Sequence, residues 1–288
     1  MEASYQKTGY LTSDFQLFSI QDQRKKTFDL HYHDFHKILI FLQGNVSYAV
    51  EGRQYDLQPG DIVLVQAGEL HRPLVHDESV YERIILYLSS GFFDQYRQSG
   101  YDLFRCFRLG TSQNSSLIRI SAPETYGLDR IFKELSLSAR DENFAARLYQ
   151  QSKIIEFLIL LNRVLLKEPV GFREAVTANP TVINVLKYIN DHLGEETLSV
   201  DTIAQAAFLT RSYLMHLFKA ETGYTIGKYI AEKRLFHARS LIASGLSVTD
   251  ACYRSGFKNY TAFYYAYRRK YHAAPTDKLT APSDSEPE

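Results

Sequence analysis

The last hundred residues contain one segment written twice. Leu198-Ser199-Val200 returns as Leu246-Ser247-Val248 at an offset of 48, and Ile203-Ala204 aligns with Ala251-Cys252. Past the next turn the offset becomes 49, pairing Thr210 with Asn259, Leu214 with Phe263, Phe218 with Tyr267 and Lys219 with Arg268, so the second copy carries one extra residue. In each copy a Ser in the N-cap position opens a short helix, and a second capped helix follows a tight turn. That is the spacing of a helix-turn-helix. A helical stretch from Thr225 to Ser244 joins the copies. At about 1.5 Å per residue it spans roughly 30 Å, close to the ~34 Å turn of a DNA duplex, which suits two second helices entering successive major grooves.

Charge separates this module from the rest. The chain balances 33 Lys+Arg against 33 Asp+Glu over 288 residues, yet residues 180–278 hold 13 basic and 8 acidic side chains. A basic module joined to an acidic remainder suits a nucleic-acid contact, although many domains with other roles reach so modest a surplus. With 45% hydrophobic and 23% charged residues the composition excludes disorder for most of the chain. No apolar run approaches the ~20 residues of a membrane span, and Met-Glu-Ala-Ser-Tyr-Gln-Lys lacks a signal-peptide core. A cytoplasmic protein without membrane association is expected. Cys106 and Cys252 lie far apart without metal-like partner spacing, which argues against a disulfide framework or zinc finger.

The first hundred residues have a different rhythm. Residues 38–42, 46–50, 61–65 and 81–88 are rich in β-branched and aromatic side chains and are separated by turns at Gln43-Gly44-Asn45, Glu51-Gly52-Arg53 and Gln58-Pro59-Gly60. Evenly spaced short strands predict a barrel or sandwich. From about Ala122 the period becomes helical, with Tyr126, Ile131 and Leu135 on one helix and Leu148, Ile155, Leu158, Leu161 and Leu165 on a second, Phe144 to Leu166. The pattern lapses between Lys167 and Asn179, and Pro180 suits a helix start. The expected fold is α+β and multidomain: a sensor barrel over 1–121, a helical segment over 122–166, a linker over 167–179, an all-α domain with two helix-turn-helix motifs over 180–278, and a disordered tail over 279–288.

The repeat resembles the DNA-binding domain of the AraC/XylS-type transcription regulators. The residues that carry the resemblance are Ile203-Ala204 with Tyr213 through Gly223, then Ala251 through Phe257, Phe263, Tyr267-Arg268 and Pro275. Family members often have Arg where this chain has His216, Tyr265 and Leu279, and usually Gly where it has His272, so no DNA sequence preference is carried over. Position by position, the resemblance implies Ser212, Met215 and His216 facing bases from the first recognition helix with Arg211 near a phosphate. On the second it implies Asn259, Tyr260, Thr261, Tyr264 and Tyr265. Tyr and Met offer thymine-methyl contact and single hydrogen bonds rather than bidentate readout, which favours A·T-rich sites, shape and phosphates. Lys219, Lys258, Arg268 and Arg269 are the expected phosphate contacts. Phe263 and Tyr267, four apart, are expected inward.

The first domain resembles the cupin barrel found at the N-terminus of many such regulators, through His31-x-His33, Gly44, Tyr55-x-Leu57-x-Pro59-Gly60-Asp61 and Gly68-x-x-His71. Histidines two apart on a strand point to one side, and a third from a neighbouring strand can complete a three-nitrogen metal site. The Glu that accompanies these histidines in cupin metalloenzymes is missing, with Lys37 or Ile38 at its place and His36 as a substitute. The alternatives are therefore a cupin metalloenzyme using His31, His33, His36 and His71, an adventitious or sensory metal, and a metal-free, cofactor-free pocket. In that pocket His31, His33, His36, Tyr48, His71, Arg72 and Arg83 are the candidates for holding a small polar molecule such as a sugar. Arg83 alternates with Tyr81 and Ile85, and if inward it needs an anionic or polyhydroxyl partner.

The reading is a non-enzymatic, ligand-responsive transcription regulator. Its partners would be double-stranded DNA, a sugar-like effector, a second copy of itself through the helical segment, and RNA polymerase. A constitutive DNA-binding protein with a vestigial barrel is a further alternative.

Overall fold

The computed structural model describes residues 11, 13–23, 28, 30–97, 99–167 and 171–277. The chain divides into two compact units at residues 178 and 179. None of the described helices is long and apolar enough to cross a membrane.

The first unit is built on β1 (Phe15–Asp22), β2 (His36–Gln43), β3 (Val46–Val50), β4 (Arg53–Asp56), β5 (Ile62–Val65), β6 (His71–Val75) and β7 (Tyr81–Leu88). Helices α1 (Ser90–Arg97) and α2 (Arg105–Ser112), strand β8 (Leu117–Ile118), helices α3 (Leu128–Ser138) and α4 (Ala146–Lys167), and strands β9 (Phe172–Arg173) and β10 (Thr177–Ala178) follow. One sheet has the order β1-β7-β2-β5-β8-β9 and the other β10-β4-β3-β6. Leu39, Phe41, Val63, Val65, Ile85 and Tyr87 of the larger sheet meet Val46, Tyr48, Val50 and Tyr55 of the smaller in one buried cluster. Their neighbours Ile38, Ile40, Ile62, Leu64, Ile84 and Leu86 turn the other way, into a second cluster with Phe92, Phe107, Leu135, Leu158 and Leu161 of the helices. Burial on both faces explains why these strands read as continuous apolar runs. Asp61, fully buried, accepts the Gln58 N–H at 2.7 Å and both Arg119 Nε and Nη2, at 2.7 and 2.6 Å, so the turn carboxylate is neutralised where it is desolvated.

The strands, expected to form a barrel or sandwich, lie in two hydrogen-bonded ladders. The barrel's expected C-terminal part contains α1 and α2, whose eight-residue lengths are too short for a firm periodicity. Within the stretch expected as the interdomain linker, β9 pairs with β8, β10 pairs with β4, and Ser115 Oγ donates to the Arg173 carbonyl. Residues 168–170, Lys278 and the tail expected to be disordered lie outside the described residues.

The second unit comprises α5 (Pro180–Asp191), α6 (Val200–Ala206), α7 (Arg211–Thr222), α8 (Ile226–Ala243), α9 (Val248–Arg254) and α10 (Tyr260–Tyr271). Side chains of Asn179, Ser199, Thr210, Thr225, Ser247 and Asn259 each accept a first-turn backbone N–H, so every helix of this unit begins at a capping residue. The duplicated segments are α6–α7 and α9–α10, and α8 joins them between Thr225 and Ser244. Phe263 and Tyr267 face inward, packing with Leu235, Ala238 and Cys252.

Candidate nucleic-acid interface and ligand-binding core

On α7 the buried face is Leu214, Phe218 and Thr222. Arg211, Ser212, Met215, His216 and Lys219 all lie on its exposed side. Arg211 is held by an ion pair with Asp201, so a phosphate must displace that carboxylate. Tyr213, 56% exposed on the same first turn, was not singled out by sequence, because its place in the repeat reads as part of the family pattern rather than as surface.

On α10 the helix turns Phe263 and Tyr267 inward and leaves Thr261, Tyr265, Arg268 and Arg269 exposed, with Tyr260 and Tyr264 half-buried. The tyrosines form a connected row: Tyr260 and Tyr264 stack at 6.3 Å, Tyr264 and Tyr265 meet edge-on at 5.9 Å, and the Arg268 guanidinium sits 6.0 Å from the Tyr264 ring. Lys258 is exposed just before the helix. Asn259 has a structural task, since its Oδ1 accepts the Ala262 N–H at 2.7 Å as the N-cap. The two exposed helix faces thus carry cations beside hydroxyls and aromatic edges, chemistry suited to phosphates and to thymine-rich groove surface.

Between the sheets of the first unit the histidines divide. His31, His33 and His71 lie together, with ring centroids 4.4 Å apart for His31 and His71, 4.7 Å for His33 and His71, and 6.4 Å for His31 and His33. Tyr48 stacks 6.1 Å from His71, and Lys37 Nζ lies 5.6 Å from the Tyr48 ring centre. Sequence reasoning named Lys37 only as an interruption of a motif, yet its alternation with Leu39 and Phe41 places it on the inner face. His33 Nδ1 lies 2.7 Å from the Phe35 carbonyl and His71 Nδ1 2.9 Å from the Glu69 carbonyl. Burial, reinforced by Lys37, holds both imidazoles well below the ordinary 6.5.

The other candidates stand apart. His36 is turned to the opposite face of β2, among Phe93, Phe104 and Phe107, where its Nδ1 accepts the Ala67 N–H at 3.2 Å and burial lowers its pKa to about 4. It therefore does not replace the missing cupin Glu. Among the described residues no group of three His, Cys, Asp or Glu side chains is arranged to hold a metal ion. Arg72 alternates with His71 along β6, so it faces away from that histidine's side. Arg83 points inward as its spacing suggests, and its partner is internal: Asp22 Oδ2 at 2.6 Å, with the Tyr81 ring 4.1 Å from the guanidinium. A separate cleft of about 100 Å³ beside α2, with Arg53, Gln66, Glu69 and Asn114 in its wall, had no counterpart in the sequence reading.

A two-sheet body with a few polar side chains set in its apolar interior, followed by a duplicated helix-turn-helix with exposed basic faces, has the make-up of a DNA-binding protein with a second, separate domain. An AraC-like ligand binding domain matches residues 16–158 and a helix-turn-helix domain matches residues 203–280. The chain belongs to the AraC-type transcription regulators. It is 25% identical over 263 residues to the HTH-type transcriptional activator RhaS of Klebsiella pneumoniae, covering 88% of each chain. It is 26% identical over 254 residues to the activator RhaS of Citrobacter koseri, again covering 88% of each. Among solved structures it is similar to apo ToxT K231A from Vibrio cholerae, at 14% identity and a TM-score of 0.40, covering 93% of this chain and 97% of that one. The two RhaS relatives are transcriptional activators, and the chain's family is one of regulators rather than of enzymes.

Proposed function

We propose that this protein is a transcription activator that responds to a small polar metabolite of the sugar class, bound between the two sheets of the first unit. The observation that carries the reading is the joining of an AraC-like ligand binding domain to the duplicated helix-turn-helix. The buried polar cluster of His31, His33, His71 and Tyr48 supports the ligand's place, and similarity to RhaS activators supports the sign of regulation. Ser212, Met215, His216, Tyr260, Thr261, Tyr264 and Tyr265 read bases, while Arg211, Lys219, Lys258, Arg268 and Arg269 hold phosphates.

Two copies pair through the helical segment, a reading supported by Leu137, Phe144 and Leu148, which are 76%, 102% and 67% exposed on or beside α3 and α4. The activator works in the cytoplasm and engages RNA polymerase. Effector binding acts through its differential affinity for two arrangements of the protein on DNA. Selection of bound sites from a random DNA pool by the full-length protein, with and without a metabolite mixture rich in sugars, tests the reading. The expected outcome is a site of two short elements about one helical turn apart, with occupancy altered by the mixture. Failure to enrich any site would sink it.

A further inference from the structure

One arginine and two glycines join the two copies of the helix-turn-helix to each other. Arg234, half-buried near the middle of α8, donates from Nε to the Leu193 carbonyl at 3.1 Å and from Nη2 to the Glu195 carbonyl at 2.6 Å. Both carbonyls belong to the loop between α5 and α6 that leads into the first copy. The same guanidinium lies against Gly256 in the turn of the second copy, where a Cβ would sit 2.7 Å from Nε and 3.0 Å from Cζ. That Cβ would also collide with the Leu193 carbonyl oxygen, and one on Gly194 would lie 2.8 Å from the Arg254 carbonyl oxygen. The backbones of the lead-in loop and the second turn therefore meet without side chains between them, at the point where Arg234 is anchored.

The remaining contacts of α8 hold each copy separately. Phe218 of α7 meets Tyr229 with ring centroids 5.5 Å apart, and Phe263 and Tyr267 of α10 pack with Leu235 and Ala238. Lys270 adds an ion pair with Glu232 at 3.8 Å, and Arg239 lies over the Tyr271 ring. Apolar packing is non-directional, whereas hydrogen bonds to two carbonyls fix an angle. That angle matters because α8, about 27 Å long, is a lever: a swing of about 10° at one copy carries the other about 5 Å, more than the ~3.4 Å step between base pairs. We propose that Arg234 is a positioning residue for DNA recognition, its two hydrogen bonds locking the copies at one separation and angle so that the protein accepts two short DNA elements at one spacing only. The inference rests on the regulator reading and concerns spacing, with bases and phosphates left to α7 and α10.

The test uses full-length protein and three kinds of duplex: the selected two-element site, the same elements with the spacer changed by one or two base pairs, and each element beside a scrambled partner. Wild-type affinity is expected to fall about tenfold or more when the spacer changes by two base pairs, because a rigid pair can engage both elements at one separation only. In Arg234→Met, which keeps an apolar stem and loses the donors, that discrimination should shrink to about threefold or less, with affinity for a single element within about twofold of wild type. Arg234→Lys, which can still donate to a carbonyl, should recover most of the discrimination. Gly194→Ala leaves Arg234 in place but wedges its loop off the Arg254 carbonyl, so it should relax the spacing preference too, and it serves where Arg234→Met fails to fold. A merely structural role would weaken binding to every duplex together and keep the preference for spacing; that result in either variant overturns the proposal. So does a wild-type protein indifferent to a two-base-pair change. Specific binding to single elements without any spacing preference overturns only this inference, whereas no specific binding to any duplex overturns the regulator reading beneath it.

Discussion

Phe208 and Gly256 occupy the same place in the two copies of the helix-turn-helix, 48 positions apart. Both are left-handed, with φ of 56° and 88°. For Phe that conformation costs about 1–2 kcal/mol, and a side chain 95% exposed recovers none of it by burial. Phe208→Gly is expected to stabilise the second unit by about 0.5–1 kcal/mol, the relieved strain less the extra freedom of an unfolded glycine, read from urea unfolding. Gly256 has no such latitude. A Cβ there would collide with the Leu193 carbonyl oxygen and lie 2.7 Å from Arg234 Nε, so Gly256→Ala should cost roughly 2–4 kcal/mol. Equal tolerance at the two sites would refute the account. Acid acts on the other unit. His33, His36 and His71 have folded pKa values below the 6.5 of the unfolded chain, so their neutral forms contribute full stability above that pH. As pH falls below 6.5 the unfolded state gains protons first, and stability drops by about 1.4 kcal/mol per pH unit for each histidine, for His36 until about pH 4. Melting of the first unit should move down between pH 7.5 and pH 5, less steeply in His36→Phe; a flat profile would show these rings charged in the fold.

Elements announced by local chemistry were legible, and those made by distant pairing were not. The helices of the second unit could be read because caps and apolar spacing lie within a few residues of each other: Ser199, Ser247 and the interval from Thr225 to Ser244 all match. Strands β2, β3, β5 and β7 could be read from dense apolar runs. β1 mixes polar residues through its length, and β9 and β10 have two residues each, paired with strands more than fifty and more than a hundred positions earlier. The inward turn of His33 and His71 followed from alternation, whereas the fate of His36 depended on an aromatic cluster supplied by α1 and α2, which sequence had not placed. β9 can be tested as an element. Gly110 of α2 leaves a space in which a Cβ would lie 2.8 Å from the Ser115 carbonyl oxygen and 3.3 Å from the Phe172 ring. Gly110→Val should therefore push β9 off β8 and speed limited proteolysis between residues 171 and 178 several-fold, while leaving the second unit's urea midpoint unchanged. Unaltered cleavage would mean that these short pairings do not hold the segment.

At the scale of the whole molecule, zero net charge conceals a basic module, and its use can be read from salt. Each phosphate neutralised by a cation releases counterions, so the logarithm of affinity falls against the logarithm of salt with a slope of about −0.9 per contact. Lys258 and Arg269 are exposed beside and on α10. Substituting either by Ala should weaken binding about equally on all DNA sequences and reduce the slope by about one. Arg211 begins in an ion pair with Asp201, an exposed pair worth at most about 1 kcal/mol, so Arg211→Ala should reduce the slope while costing less affinity, because the wild-type side chain must leave a partner first. Tyr265→Ala, by contrast, should lower affinity for the selected site by about 1–3 kcal/mol with the slope unchanged, since a tyrosine releases no counterion. Titrations of the selected operator and of a scrambled duplex between 50 and about 200 mM salt separate these outcomes. A slope insensitive to both Lys258→Ala and Arg269→Ala would place the phosphates elsewhere on the unit, and a slope altered by Tyr265→Ala would show that its loss moves the neighbouring Arg268 and Arg269 rather than removing a base contact.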